Sequence, residues 1–236
     1  MDVNIQKSGF FEIKGYPVIL GEEGAGVVLK VSDGVRNLAR GDNVFVPSIC
    51  LTRGVRYACA EHVHLRRLFQ ATFGNKYGSF QEHCLVLAEI AAKIPPNLSY
   101  EEAASILIAF APFAVATYAQ RPQGIGLTPP FEEGGRDKYA GRPIVIFGGA
   151  ASVGQQAIQL AKLSGFSPII TTASLHNEDL LLSLGATHIL DRKLPNAALI
   201  KRVRELVVAP RGTSLTRCLS KTPSKAATPF WRPGVP

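Results

Sequence analysis

The stretch "IVIFGGAASVGQQAIQLAK", residues 144–162, constrains the fold of this chain more than any other. Four apolar, β-favouring residues lead into a glycine-bearing turn. Apolar residues at helical spacing follow, so the pattern is strand, turn, helix. Two further pairs come after it. "SPIITTA" precedes a helix near 177–184 that ends at Gly185, and "THIL" precedes a helix near 196–207. The first helix is expected over 154–164, ending at Gly165. Short buried strands alternating with helices predict a parallel sheet with crossover helices over residues 143–208.

The turn itself points to a ligand. "GGAASVG", 148–154, reads as a dinucleotide fingerprint in which Gly149 makes the tight turn. Ala151 occupies the place where a second glycine usually lets backbone approach a pyrophosphate, and Gly154 lets helix pack on strand. With Ser152 and Val153, these residues present a helix N-terminus, whose free N–H groups and positive dipole end suit a phosphate. An ordinary strand-to-helix turn without a ligand is the competing reading. The tip of the next strand bears on the cofactor. NAD sites usually place an acid about 20 residues beyond the fingerprint. That position holds Ser174, followed by His176 and Asn177. Hydrogen-bonding groups without an acid favour a 2′-phosphate, hence NADPH. Alternatively, Ser174 or Asn177 caps the following helix.

Upstream, the grammar is different. Residues 16–32, 41–46 and 78–86 are β-branched and glycine-punctuated, which predicts strands of a small barrel. Pro95 and Pro96 stop regular structure. Ser99 and Glu102 form a capping-box pattern ahead of a long apolar helix. Pro112 is expected to kink or break that helix. Residues 101–142 are thus a linking helix and a Gly/Pro-rich connection. Residues 209–236 lack periodicity and are expected to be disordered.

The net charge of +8 is concentrated in two places: 51–70 contributes +3 and 211–236 contributes +5. The remainder is neutral, so the basicity does not belong to the body of the fold. Arg53, Arg56, Arg66 and Arg67 offer a polyanion-binding patch, but no nucleic-acid motif accompanies them. No nucleic-acid or membrane partner is expected. The chain shows no leader pattern and no apolar run of spanning length. Four irregularly spaced cysteines (Cys50, Cys59, Cys84 and Cys218) suit a reducing cytoplasm better than a disulfide framework.

The order of "YPVILGEEGAGVV", "GDNVFV", "GSFQEHCLVLAEIAAKIPPNLSYEEAASI" and the glycine-turn segment through "LLLSLGATHILD" resembles the medium-chain dehydrogenase/reductase superfamily, in particular its fungal zinc-independent enoyl-reductase and quinone-reductase-like branch. The resemblance covers roughly 1–47 and 72–207. It implies an α/β plus β fold: a GroES-like β-barrel over residues 1–100, then a Rossmann doubly wound parallel sheet. It also implies NADPH-dependent reduction of a carbon–carbon double bond or quinone in a small-molecule substrate. By resemblance, Thr117 and Tyr118 lie near the nicotinamide. A homodimer is implied for full-length members.

Zinc members carry Gly-His-Glu where this chain has Gly21-Glu22-Glu23, so no metal site is expected there. Cys59, His62 and His64 offer closely spaced ligands without an apparent fourth. No proton donor is assigned; Tyr77 and His83 read better as structural residues. Three departures from the family favour the alternative of a non-catalytic remnant. The chain opens inside the barrel, an atypical insert fills 48–70, and the Rossmann pattern stops after its third strand and helix. In the usual strand order, strand 143–147 would then be an exposed sheet edge.

Overall fold

The computed structural model describes residues 17–47, 77–207 and 216–219. The expectations that rest on Cys50, Cys59, His62, His64 and the arginines of 51–70 lie outside the described residues. The chain divides into two compact units between Gly126 and Leu127.

In the first unit, β1 (Glu23–Val27) pairs antiparallel with β2 (Asn43–Pro47), Glu23 opposite Pro47 and Val27 opposite Asn43. β2 continues to β3 (Ala92–Lys93), giving the order β1-β2-β3. Alternation along β2 buries Val44 and Val46. The expected strand over 78–86 is corrected. No strand forms there, and Gly78-Ser79-Phe80 instead lies along Leu20-Gly21. The Phe80 amide donates to the Leu20 carbonyl at 3.0 Å, and Ser79 Oγ donates to the Glu23 carbonyl at 2.6 Å. Glycine is required for this approach. A Cβ on Gly21, at φ +110°, would stand 2.7 Å from the Phe80 nitrogen.

The capping box forms as expected: Ser99 Oγ accepts from Glu102 N–H and Glu102 Oε2 accepts from Ser99 N–H. It starts α1 (Tyr100–Ala104). The helix then stops at Ser105 and restarts as α2 (Leu107–Tyr118). Of the expected kink or break at Pro112, the break is corrected: Pro112 sits inside the continuous α2. A proline there removes one main-chain bond, whereas at Ser105 both the amide and the hydroxyl turn back to the Glu102 carbonyl. The restart is capped from afar. Glu23 Oε2 accepts from Ile108 N–H at 2.9 Å, which places a carboxylate at the positive end of α2.

The second unit is the parallel sheet. β4 (Ile144–Phe147), β5 (Ile169–Ala173), β6 (His188–Asp191) and β7 (Thr216–Leu219) lie in the order β6-β5-β4-β7, all parallel. Helices α3 (Ser152–Leu163), α4 (Glu178–Leu184) and α5 (Asn196–Leu206) connect them. Val145, Ile170 and Leu190 form one core, covered by Leu199 and Val203 of α5. Ile144, Ile146 and Ile169 are also buried, as are Ala157, Ile158 and Ala161 of α3. Both faces are therefore apolar, as a doubly wound sheet requires.

β7 corrects two expectations. Thr216–Leu219 is a strand where disorder was expected, and it pairs with β4, Ile144 opposite Thr216 and Phe147 opposite Leu219. β4 is therefore not an edge. Averaging over a Pro-, Ser- and Lys-rich tail hides four residues that meet a ladder.

Residues 127–142 belong to the second unit and fold against the end of α3. The Asp137 and Tyr139 amides donate to the Leu163 and Ser164 carbonyls. The Tyr139 ring stacks on Phe166, centroids 5.2 Å apart, with the Arg142 guanidinium 5.5 Å from its centroid. Among the described residues, no helix is long and apolar enough to cross a membrane.

Candidate nucleotide-binding site

The strand order decides where a ligand can sit. The chain leaves β4 for β5 on one side, and β7 lies on the other, so the strand order reverses beside β4. Open α/β sheets bind ligands outside the carboxyl ends of the strands at such a reversal. The turn 148–151 leaves β4 at that point.

Main-chain geometry builds the turn. Gly148 has φ +75°, a conformation that suits glycine. Its N–H donates to Thr172 Oγ1 at 3.0 Å, and the Gly149 N–H donates to the Thr172 carbonyl at 3.0 Å. One residue of β5 thus secures two successive amides. Thr171 Oγ1 donates to the Ile146 carbonyl at 2.7 Å and fills the space where a Cβ on Gly149 would go. A Cβ on Gly154 would collide with the Gly148 carbonyl oxygen and stand 2.7 Å from Gly149 Cα. Gly149 and Gly154 are both buried. Gly149 thus packs against β5 and Gly154 against the turn, while the positive φ falls on Gly148.

Ala151 is the N-cap of α3, in extended conformation, and has no side-chain oxygen to offer. The first intrahelical bond runs from Gln155 N–H to the Ala151 carbonyl at 2.9 Å. Ser152, Val153 and Gly154 therefore start the helix with amides that no helical carbonyl reaches. Ser152 is exposed and Val153 half-buried. Gln155 Nε2 donates to the Ala150 carbonyl at 3.0 Å and closes the turn from the helix side. Open backbone N–H groups at a helix start are an arrangement that suits an anion.

Ser174 follows β5 directly, and His176 and Asn177 lie in the short 3-10 helix Leu175–Asn177. Ser174 and Asn177 do stand at the N-cap positions of the 3-10 helix and of α4, but neither makes a side-chain cap bond. Asn177 Nδ2 instead donates to the Ser174 carbonyl at 3.3 Å. The tip thus lies one strand over from the glycine turn, and His176 is exposed.

Thr117 lies in the other unit, on α2. It is 2% exposed, and its neighbour Tyr118 packs edge-on to Phe113 at 6.2 Å. Tyr77 is half-buried and His83 exposed, both in the first unit. Glu22 is buried. Burial pushes the Cys84 thiol up from its ordinary value, which disfavours the thiolate. Among the described residues, no three His, Cys, Asp or Glu side chains gather to hold a metal ion.

Residue-by-residue reading of the turn missed Thr171, Thr172 and Gln155. The available signal was the paired threonines in "IITTA", two hydroxyls in an otherwise apolar strand.

Residues 1–96 match the alcohol dehydrogenase GroES-like domain. Beyond that domain, the match to dehydrogenase azaJ of Aspergillus niger is 34% identical over 184 residues, 77% of this chain and 45% of that protein. The chain belongs to the medium-chain dehydrogenase/reductase superfamily. Trans-enoyl reductase himH of Aspergillus japonicus is 32% identical over 196 residues, 83% of this chain and 49% of that protein. Among solved structures of the superfamily's fold, Escherichia coli quinone oxidoreductase complexed with NADPH superposes with a TM-score of 0.56 at 23% identity. That superposition covers 87% of this chain and 50% of the other. The chain spans about half the length of the curated relatives it matches.

Proposed function

We propose that this chain carries the nucleotide-binding part of a cytoplasmic NADPH-dependent oxidoreductase that reduces a carbon–carbon double bond or quinone without zinc. One observation carries the reading: a buried glycine turn at the strand-order reversal leaves the first amides of α3 open. A Cβ at Gly149 would collide with Thr171, and one at Gly154 with the backbone of the turn, so both glycines are what lets the turn close beneath those amides. Gly149, Ala151, Ser152, Val153 and Gly154 would hold the pyrophosphate, and Ser174, His176 and Asn177 the adenosine phosphate. Bound NADPH would supply a hydride. The chain's own part is to fix the dinucleotide in one orientation. Thr117 is assigned to the nicotinamide side by resemblance. Enoyl reductases and an NADPH-complexed quinone oxidoreductase among the similar proteins support the substrate class. Glu22 at the position of the zinc ligand supports the metal-free reading.

Thermal unfolding with each nucleotide tests this. A ligand at 100 times its Kd stabilises the folded state by about 2.7 kcal/mol. NADPH is expected to raise the midpoint and NADH to raise it less. No shift with either would sink the proposal. A shift without NADPH oxidation on any enone or quinone would leave a nucleotide-binding fragment.

A further inference from the structure

Asp33 is the only aspartate or asparagine of the chain that a glycine follows. Such a pair is a reactive point of a backbone. Glycine has no side chain to shield its amide nitrogen, which can attack the carboxyl carbon of the residue before it and close a five-membered ring. Whether it does so depends on how the pair is held, and the fold leaves this pair open.

Asp33 and Gly34 are the central residues of a turn in the β1–β2 connection. The Val35 N–H donates to the Ser32 carbonyl at 3.3 Å, and Gly34 has φ +85°. A positive φ at the second central residue alone makes this a type II turn. Types I and II share the closing bond and differ by rotation of the central peptide plane, here the Asp33–Gly34 peptide. Nothing obstructs that rotation. A Cβ built on Gly34 would meet nothing within 4 Å, and Ser32, Asp33 and Gly34 are all exposed. Neither the Asp33 carboxylate nor the Gly34 N–H bonds to any described residue. Asp42 and Asp191 contrast with it. The first is held by Lys93 and the Ala39 N–H, the second by the Lys193 N–H. The base of the connection stays closed, because Gly41 N–H donates to the Val28 carbonyl and Val28 N–H to the Asp42 carbonyl. The turn can therefore rearrange without unpairing β1 from β2.

We infer that Asp33 is a modification site, at which the folded chain rearranges spontaneously to isoaspartate. The Gly34 nitrogen forms a bond to Asp33 Cγ, and the carboxyl hydroxyl leaves with the amide proton as water, giving a succinimide. Water then opens the ring. Attack at Cγ restores Asp33. Attack at the backbone carbonyl leaves the chain running through the Asp33 side chain, with the α-carboxylate free. Nothing is oxidised or reduced, and water is the only co-reactant. The product lengthens the backbone of the turn by one methylene and keeps its charge. Its free α-carboxylate is the kind of acceptor that an S-adenosylmethionine-dependent isoaspartyl methyltransferase takes.

The test holds the 236-residue chain at neutral pH over days and digests it with trypsin, which cuts after Lys30 and Arg36. Mass spectrometry follows the peptide Val31–Arg36, with the same synthetic peptide as the unfolded reference. Asp33→Glu is the control, since a longer side chain disfavours ring closure and keeps the charge. A species lighter by one water is expected first, then an isomer of unchanged mass that isoaspartyl methyltransferase labels. The folded chain should react within about tenfold of the free peptide, because an exposed turn opens at little cost. Asp33→Glu should give neither product. Absence of both products from the folded chain overturns the inference, whatever the free peptide does. Equal conversion in peptides carrying Asp137 or Asp191 overturns it as well, since the turn would then confer nothing. So does conversion confined to chains that have lost hydrogen-exchange protection of the Val28 and Gly41 amides, which would assign the reaction to the unfolded state.

Discussion

The Gly148 amide donates to the Thr172 hydroxyl at 3.0 Å. A residue 24 positions away thus sets the first amide of the glycine turn, and its carbonyl takes the second. The turn is a product of the β4–β5 pairing as much as of its own glycines.

Thr172→Val keeps the shape of the side chain and removes the acceptor. Thr172 is buried and Gly148 half-buried, so the orphaned amide costs about 1–3 kcal/mol. Chemical denaturation should show this loss for Thr172→Val and little of it for Thr172→Ser. Equal stability of Thr172→Val and wild type would mean that the turn holds without the hydroxyl.

Gly154→Ala places a methyl against the Gly148 and Gly149 backbone, which cannot move aside as a flexible side chain would. The expected loss is about 1–3 kcal/mol of stability, together with the NADPH-induced rise in midpoint. Gly26→Ala is the control. Its Cβ would meet nothing within 4 Å, so it should stay within about 0.5 kcal/mol of wild type.

Glu23→Ala removes the only side-chain acceptor recorded at the start of α2, among the described residues. A lost helix cap costs about 1 kcal/mol. Ser99→Ala should cost a similar amount at α1, where it breaks the capping box. Additive losses in the double variant, by equilibrium unfolding, would show that the two caps act independently.

Asp42 links acid stability to the β2–β3 pairing. Its carboxyl lies below the ordinary range because the Lys93 ammonium hydrogen-bonds it at 2.8 Å and the Ala39 N–H at 2.7 Å. With the folded-state value depressed, the stabilisation is present above the ordinary carboxylate value of about 3.9 and is lost as pH falls through the lower folded value. Asp42→Asn should therefore flatten the acid limb of the stability profile and leave its alkaline limb unchanged. An acid limb identical to wild type would show that the pair carries no proton linkage.

Tyr139→Phe should cost about 1 kcal/mol, because the phenol oxygen accepts from the Thr128 N–H at 2.7 Å in a half-buried site. Stacking on Phe166 survives that change, so Tyr139→Ala should cost more. Equal losses for the two would assign the contribution to the hydroxyl alone.

Much of the parallel sheet could be read along the chain. β4, β5 and β6, the three helices and the glycine ends at Gly165 and Gly185 fall within a few residues of expectation. Each is encoded by an apolar period or a terminal glycine over a span of about ten residues. The capping box at Ser99 was legible for the same reason. The stop at Ser105 was not, because Pro112 is the louder local signal, whereas the restart of α2 is met by a carboxylate 85 residues upstream.

Local patterns along the chain encode the elements: alternating strand and helix, the glycines of the turn, and a capped helix after a β-rich half. These follow from side-chain periods and backbone freedom, which act between near neighbours. The order β6-β5-β4-β7, the threonines that hold the turn, and the bond from Arg192 N–H to the Ala173 carbonyl arise only when the strands assemble. Those depend on which strand ladders meet, and hydrogen bonds between strands join residues that no local period connects.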